Sequence, residues 1–166
     1  MDTLFLRPKP TRREFLQVAT ASLALLGLSQ ALSPRVVKAL EETSGKPAVV
    51  WLHGQECTGC SESFVNNLDP TAAAIILDTI SLRYHETLMA ASGYHAEEAL
   101  EDAISESGYL LVIEGAIPLA EDGLYCTISG KTFKDIVRES VKNAAAVICV
   151  GSCATFGGFP AAGPTD

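Results

Sequence analysis

Val49-Val50-Trp51-Leu52-His53-Gly54-Gln55-Glu56-Cys57-Thr58-Gly59-Cys60-Ser61-Glu62-Ser63-Phe64 decides how this chain is read. Val49 to Leu52 is a short apolar run and reads as a buried strand. Ser61 to Phe64 reads as the start of a helix. Between them, Cys57 and Cys60 sit on a strand-to-helix turn. A helix N-terminus favours negative charge, so the position predicts stabilised thiolates. Such a pair holds a metal or runs a disulfide. Gly151-Ser152-Cys153, a second cysteine loop after another apolar run, points to the metal.

Working outward, the same alternation repeats. Strands are predicted at 48–52, 80–84, 109–113 and 145–150. Helices are predicted at 61–68, with Phe64, Val65 and Leu68 on one side, and at 72–77, 95–105 and 131–143. Residues 119–130 are turn-rich, with a hairpin expected around 125–128. Alternating strands and helices predict an α/β fold, a parallel sheet with helices on both faces in a flavodoxin-like order. The apolar runs lack alternation, as burial on both faces requires. In such sheets ligands gather beyond the carboxyl ends of the strands. Cys57, Cys60, Glu114 and Cys153 all fall on that edge.

The first 39 residues are read apart from the rest. Thr11-Arg12-Arg13-Glu14-Phe15-Leu16 is a twin-arginine export motif, and 15–32 is apolar apart from small and polar residues. Val37-Lys38-Ala39 offers a cleavage site. A membrane anchor is the alternative, but Gly27, Ser29 and Gln30 dilute a stretch at the lower edge of spanning length. Twin-arginine export carries folded proteins, so it argues for a cofactor inserted before export and for a periplasmic destination. Residues after 39 hold six Lys/Arg against eighteen Asp/Glu, a net −12. That balance argues against nucleic acid or an anionic membrane as a partner. Five cysteines, an odd number, weaken a pure disulfide framework.

Iron–sulfur clusters are held by cysteine thiolates, usually four per cubane. Cys57, Cys60 and Cys153 supply three, and Gly59 and Gly151 let backbone approach a bulky group. At these residues the chain resembles the small subunit of the nickel–iron hydrogenases. The resemblance rests on 50–63, on Leu77-Asp78-Thr79-Ile80-Ser81-Leu82 followed by Thr87-Leu88-Met89-Ala90-Ala91, on Glu114-Gly115-Ala116-Ile117-Pro118, and on Gly151-Ser152-Cys153-Ala154-Thr155-Phe156-Gly157-Gly158. It covers residues 46–166.

The resemblance implies a flavodoxin-like domain holding the proximal 4Fe-4S cluster beside a large subunit that carries the nickel–iron centre. Cys57, Cys60 and Cys153 fall on three of the four ligand positions. The fourth lies in a segment beyond residue 166, and the ligands of further clusters lie later still. The implied role is electron transfer in an uptake hydrogenase, from the H2-oxidising large subunit to a cytochrome or other acceptor, with membrane association through partners. Glu56 and Thr58 match positions facing the large subunit, where the family is thought to pass protons. Some oxygen-tolerant members carry two extra cysteines near the cluster. One lies between the C-x-x-C pair, where this chain has Gly59, and one in the segment matching Tyr125-Cys126-Thr127, which implies an ordinary cubane. Glu114 and Cys126 are both candidates for residues beside the cluster.

Other readings stand beside this one. Strand, C-x-x-C, helix is also the logic of a thioredoxin-like thiol oxidoreductase. There Cys153 has no role, and the residue before Cys57 is Glu56 rather than Trp. A relative of the complex I subunit with a similar cluster is a third reading, and a cluster-free remnant that only binds a partner is a fourth. Cys149, inside the last strand, reads as a small core residue. His53 reads as a satisfied polar residue, and His85 and His95 have no partners at metal spacing. An apolar partner face is expected to make the isolated chain poorly soluble.

Overall fold

The computed structural model describes residues 45–163. The export reading of 1–39 lies outside them. Within them, four strands form one parallel sheet: β1 (Ala48–His53), β2 (Ser81–His85), β3 (Tyr109–Glu114) and a long strand at Ala144–Val150. Their order is β2-β1-β3 followed by Ala144–Val150. This is the order expected for a flavodoxin-like sheet, and it puts β1 and β3 in the middle. Every residue of β3 is buried, which is why its six residues read as one unbroken apolar run ending in Glu114.

Helix α1 (Gly59–Val65) follows β1, and a single α turn at Ala72–Ala74, here α2, runs into a π turn at Ile75–Thr79. Helix α3 (Tyr94–Ser105) precedes β3. A short hairpin joins β4 (Thr127–Ile128) to β5 (Lys131–Thr132) through Ser129-Gly130. Both turn residues have positive φ, 52° and 80°, which matches the twist of a tight hairpin. Thr132 then caps α4 (Phe133–Val141): its hydroxyl accepts from the Asp135 amide at 3.2 Å. The strand Ala144–Val150 is β6, and it leads directly into α5 (Gly151–Phe156).

One apolar cluster holds the layers together. Val50, Leu52, Leu111 and Ile113 of the sheet meet Leu100 and Ala103 of α3 and Phe133, Ile136 and Val137 of α4. The period of about 3.6 in α3 and α4 brings those positions to one stripe. Tyr109 is buried there too, its hydroxyl donating to the Ser140 carbonyl. The opposite face of β1 carries Trp51, whose ring packs on Phe64 of α1 at 5.6 Å.

Four expectations are corrected. Helix α1 stops at Val65, not at residue 68: Asn66 is its C-cap, with ψ at 2°, and its side-chain amide donates to the Glu62 carbonyl at 2.8 Å. Leu68 consequently lies 88% exposed instead of packing beside Phe64. The 72–77 helix is one α turn followed by a π turn. Gly151-Ser152-Cys153 is not a loop but the first turn of α5. Finally, β6 is not buried on both faces: Ala145 and Val147, two apart and so on one face of the strand, are exposed.

Candidate metal centre at the sheet edge

The carboxyl edge of the sheet is built by three chain crossings. After β1, Gly54 donates to the Glu114 carbonyl at 2.7 Å, and Gln55 and Ala116 exchange backbone hydrogen bonds at 3.0 and 2.8 Å. The two strand exits are thereby stitched together. This approach leaves no room for side chains. A Cβ on Gly115 would lie 2.8 Å from the Gly54 carbonyl carbon, and one on Gly54 would lie 2.5 Å from the Phe133 ring.

Cys57 lies on the turn, and Cys60 in the first turn of α1. Cys153 stands in the first turn of α5. The three thiols share a neighbourhood. The Cys60 thiol is pushed up by burial first, then by the Glu114 carboxylate and by Cys57 and Cys153. Gly151 faces Cys60 directly, for a Cβ there would stand within contact distance of the Cys60 sulfur. Gly158 faces Cys153 in the same way, with a Cβ 2.5 Å from that sulfur. Two glycines thus clear space around two of the three sulfurs.

The expected thiolate stabilisation at the helix start is not met at Cys60. Burial is the first reason and Glu114 the second. Its Oε1 accepts from the backbone amides of Cys60 at 3.1 Å and Ser61 at 3.2 Å. These are free donors of the first turn of α1. A carboxylate from β3, more than fifty residues away in sequence, has taken the N-cap role. Thr58, in the N-cap position, makes no side-chain cap and sits at φ 62°. The positive end of a two-turn helix is already neutralised, and burial then dominates the thiol.

Glu114 is itself held by a buried polar network. Its Oε2 accepts from the Ser61 hydroxyl at 2.6 Å and from the Trp51 indole N–H at 3.1 Å. Since the Ser61 proton is spent on Glu114, the Ser61 oxygen accepts from the Nε2–H of His85 at 3.2 Å and of His53 at 3.3 Å. His85 Nδ1 is then an acceptor, and the amide and hydroxyl of Thr87 lie 3.3 and 3.1 Å from it. The geometry therefore fixes His85 as neutral. Burial, reinforced by His53, lowers its pKa to about 4. Burial lowers His53 as well, against the pull of Glu114. Glu114 goes down despite its burial, because Ser61, His53 and Trp51 favour the charged form. Sequence reading placed His53 and Glu114 but missed Ser61 and His85 as their partners. No local signal marks them, since they meet only across strands.

Glu56 and Thr58 stand together, with the Thr58 hydroxyl donating to Glu56 Oε1 at 3.2 Å. Glu56 Oε2 is buried with no hydrogen-bond partner. Burial and then Glu114 push the Glu56 carboxyl up. Cys126 has a different setting from the other site cysteines. It packs against the apolar core, and burial and Glu86 push its thiol up. Gly158 lies beside Cys153. Cys149 is half-buried in β6, and burial raises its thiol too.

Among the described residues, no three His, Cys, Asp or Glu side chains converge as single-ion ligands. A multi-iron cluster asks for something else. Each thiolate binds a different iron, so the ligands stand apart around a cavity. Three cysteines on one edge, with Gly151 and Gly158 where other residues would intrude, suit that arrangement.

The family described as NADH ubiquinone oxidoreductase, 20 Kd subunit, matches residues 57–166. The chain belongs to this family. Among curated relatives, the chain is 47% identical over 155 residues to the periplasmic NiFe hydrogenase small subunit 1 of Nitratidesulfovibrio vulgaris, covering 93% of this chain and 49% of that one. It is 46% identical over 156 residues to the uptake hydrogenase small subunit of Azotobacter vinelandii, covering 93% and 43%. Among solved structures, the NiFeSe hydrogenase of Desulfovibrio vulgaris Hildenborough matches with a TM-score of 0.68 at 42% identity, covering 75% of this chain and 46% of that one. The reduced NiFeSe hydrogenase of Desulfomicrobium baculatum matches with the same TM-score at 36% identity. The resemblance to hydrogenase small subunits and the α/β fold are therefore borne out. The chain spans about half the length of the curated relatives it matches.

Proposed function

We propose that this chain is the cluster-binding part of the electron-transfer subunit of a nickel–iron uptake hydrogenase. Cys57, Cys60 and Cys153 hold three corners of a proximal 4Fe-4S cluster, and the fourth ligand lies beyond residue 166. A large subunit oxidises H2 at its nickel–iron centre, and electrons leave through this chain to a cytochrome or other acceptor. The bound cluster supplies one-electron redox chemistry. The chain's own residues hold it, clear space for it and surround it with fixed dipoles. Residues 1–39 act as a twin-arginine signal that delivers the folded complex to the periplasm.

One observation carries this reading: Gly151 and Gly158 stand where any Cβ would collide with the Cys60 and Cys153 sulfurs. A disulfide enzyme needs neither Cys153 nor this clearance. Burial and negative neighbours hold the Cys60 thiol protonated, and a bound metal is what deprotonates such a thiol. Glu56 and Thr58 serve as proton-relay groups facing the large subunit; their mutual hydrogen bond and the unpartnered Glu56 oxygen suit that use. Exposed Leu119, Leu124, Tyr125, Phe156 and Phe159 offer the partner an apolar face. Among the described residues no helix is long and apolar enough to cross a membrane.

The test is iron and acid-labile sulfide content, with an anaerobic visible spectrum, on protein purified with its partners. Iron, sulfide and a broad thiolate-to-iron absorption that disappear in Cys57→Ser, Cys60→Ser and Cys153→Ser but persist in Cys126→Ser support the proposal. Colourless, iron-free protein with titratable thiols would leave a thiol enzyme or a cluster-free remnant.

A further inference from the structure

We infer that Glu114 is a positioning residue that holds down the reduction potential of the centre ligated by Cys60. The inference rests on the cluster-binding reading above. Four donors converge on this carboxylate: the amides of Cys60 and Ser61, the Ser61 hydroxyl and the Trp51 indole, at 3.1, 3.2, 2.6 and 3.1 Å. Every one of these partners donates. The two amides and the indole can only donate, and with the Ser61 hydroxyl donating as well the ring favours the charged form. Glu114 is 1% exposed, and its charge is poorly screened.

Two consequences follow for an electron arriving at the cysteine-bound centre. A fixed negative charge one hydrogen bond from the Cys60 backbone opposes reduction. The amides of Cys60 and Ser61 are engaged by Glu114 and are not available to another acceptor. Hydrogen bonds to cluster sulfurs and the net charge around them are two of the main levers on cluster potential. Glu114 works both levers in the same direction. A purely structural cap would fix α1 without moving the potential.

The experiment is a redox titration of the purified holo-complex followed by electron paramagnetic resonance, with iron content measured in parallel. Glu114→Gln keeps an oxygen acceptor for the two amides and removes the charge. It is expected to favour the reduced state about tenfold, which is about 59 mV for a one-electron couple. Ser61→Ala removes the shortest donor to the carboxylate while Trp51 still satisfies it, leaving the charge less compensated. It is expected to move the potential the opposite way. An unmoved or lowered potential in Glu114→Gln overturns the inference. Where that variant fails to assemble, Ser61→Ala decides: a fall supports the inference, and no change or a rise overturns it. Iron-free wild-type complex would instead defeat the cluster-binding reading and this inference with it.

Discussion

The sulfur of Cys60 occupies the space that a side chain on residue 151 would need. Cys60 belongs to the first turn after β1, and Gly151 to the first turn after β6. The close approach therefore joins the two helix starts that carry the C-x-x-C pair and Cys153. Gly151 also has φ 76°, a conformation that only glycine adopts readily.

Gly151→Ala should therefore fail on two counts. The left-handed backbone alone costs about 1–2 kcal/mol, and the new methyl collides with the Cys60 sulfur. Gly130→Ala is the control, because it has φ 80° with nothing within 4 Å of its Cβ. Thermal unfolding and iron analysis separate the two. Both variants lose stability, and Gly151→Ala alone loses most of its iron.

His85 and Glu86 are neighbours with opposed titrations. His85 falls to about 4 in the folded chain from an ordinary 6.5, so its neutral burial stabilises fully above pH 6.5 and that stability is lost as pH falls toward 4. Glu86 rises to about 7 from 4.5, chiefly through burial, with Glu56 and Glu97 adding. Its contribution is present below 4.5 and is lost as pH rises toward 7. Between pH 4.5 and 6.5 the two slopes oppose. The His85 and Glu86 contributions should nearly cancel there, and Glu86→Gln should make stability climb with pH more steeply than in wild type, by about 1.4 kcal/mol per unit. Denaturant melts across that window read the slope. A flat profile in Glu86→Gln counts against the assignment.

The proposed relay role of Glu56 is open to a simple test. Glu56→Gln keeps size and polarity and removes the ability to carry a proton. In the assembled complex it should slow H2-dependent proton exchange by about a hundredfold, the usual order for a lost general acid–base group. Iron content and folding should stay intact. Unchanged exchange would remove Glu56 from the proposed relay.

Phe156 and Phe159 are 87% and 60% exposed, next to Cys153 in sequence. Phe156→Ser combined with Phe159→Ser removes apolar surface that is mostly exposed among the described residues. Stability should stay within about 0.5 kcal/mol of wild type, as for ordinary surface changes. Co-purification of the large subunit should fall sharply. Undiminished recovery of the partner would place its docking face elsewhere.

What the sequence determined by itself is the succession of strands and helices, the parallel sheet, and the gathering of Cys57, Cys60, Glu114 and Cys153 on one edge. Those are properties of hydrophobic period and of where each residue falls relative to a strand end, and both are local. Only the tertiary structure decided how that edge is wired. Glu114 meets the amides of Cys60 and Ser61 from another strand. His53 and His85 become partners of one serine only because β1 and β2 lie side by side. Gly158 stands against Cys153, five residues before it, only because the chain turns back after α5. Hydrogen bonds between residues distant in sequence leave no periodic trace in it, so the chain announces its layers and sets Glu114 beside the cysteines, but not the amides, serine and indole that meet that carboxylate.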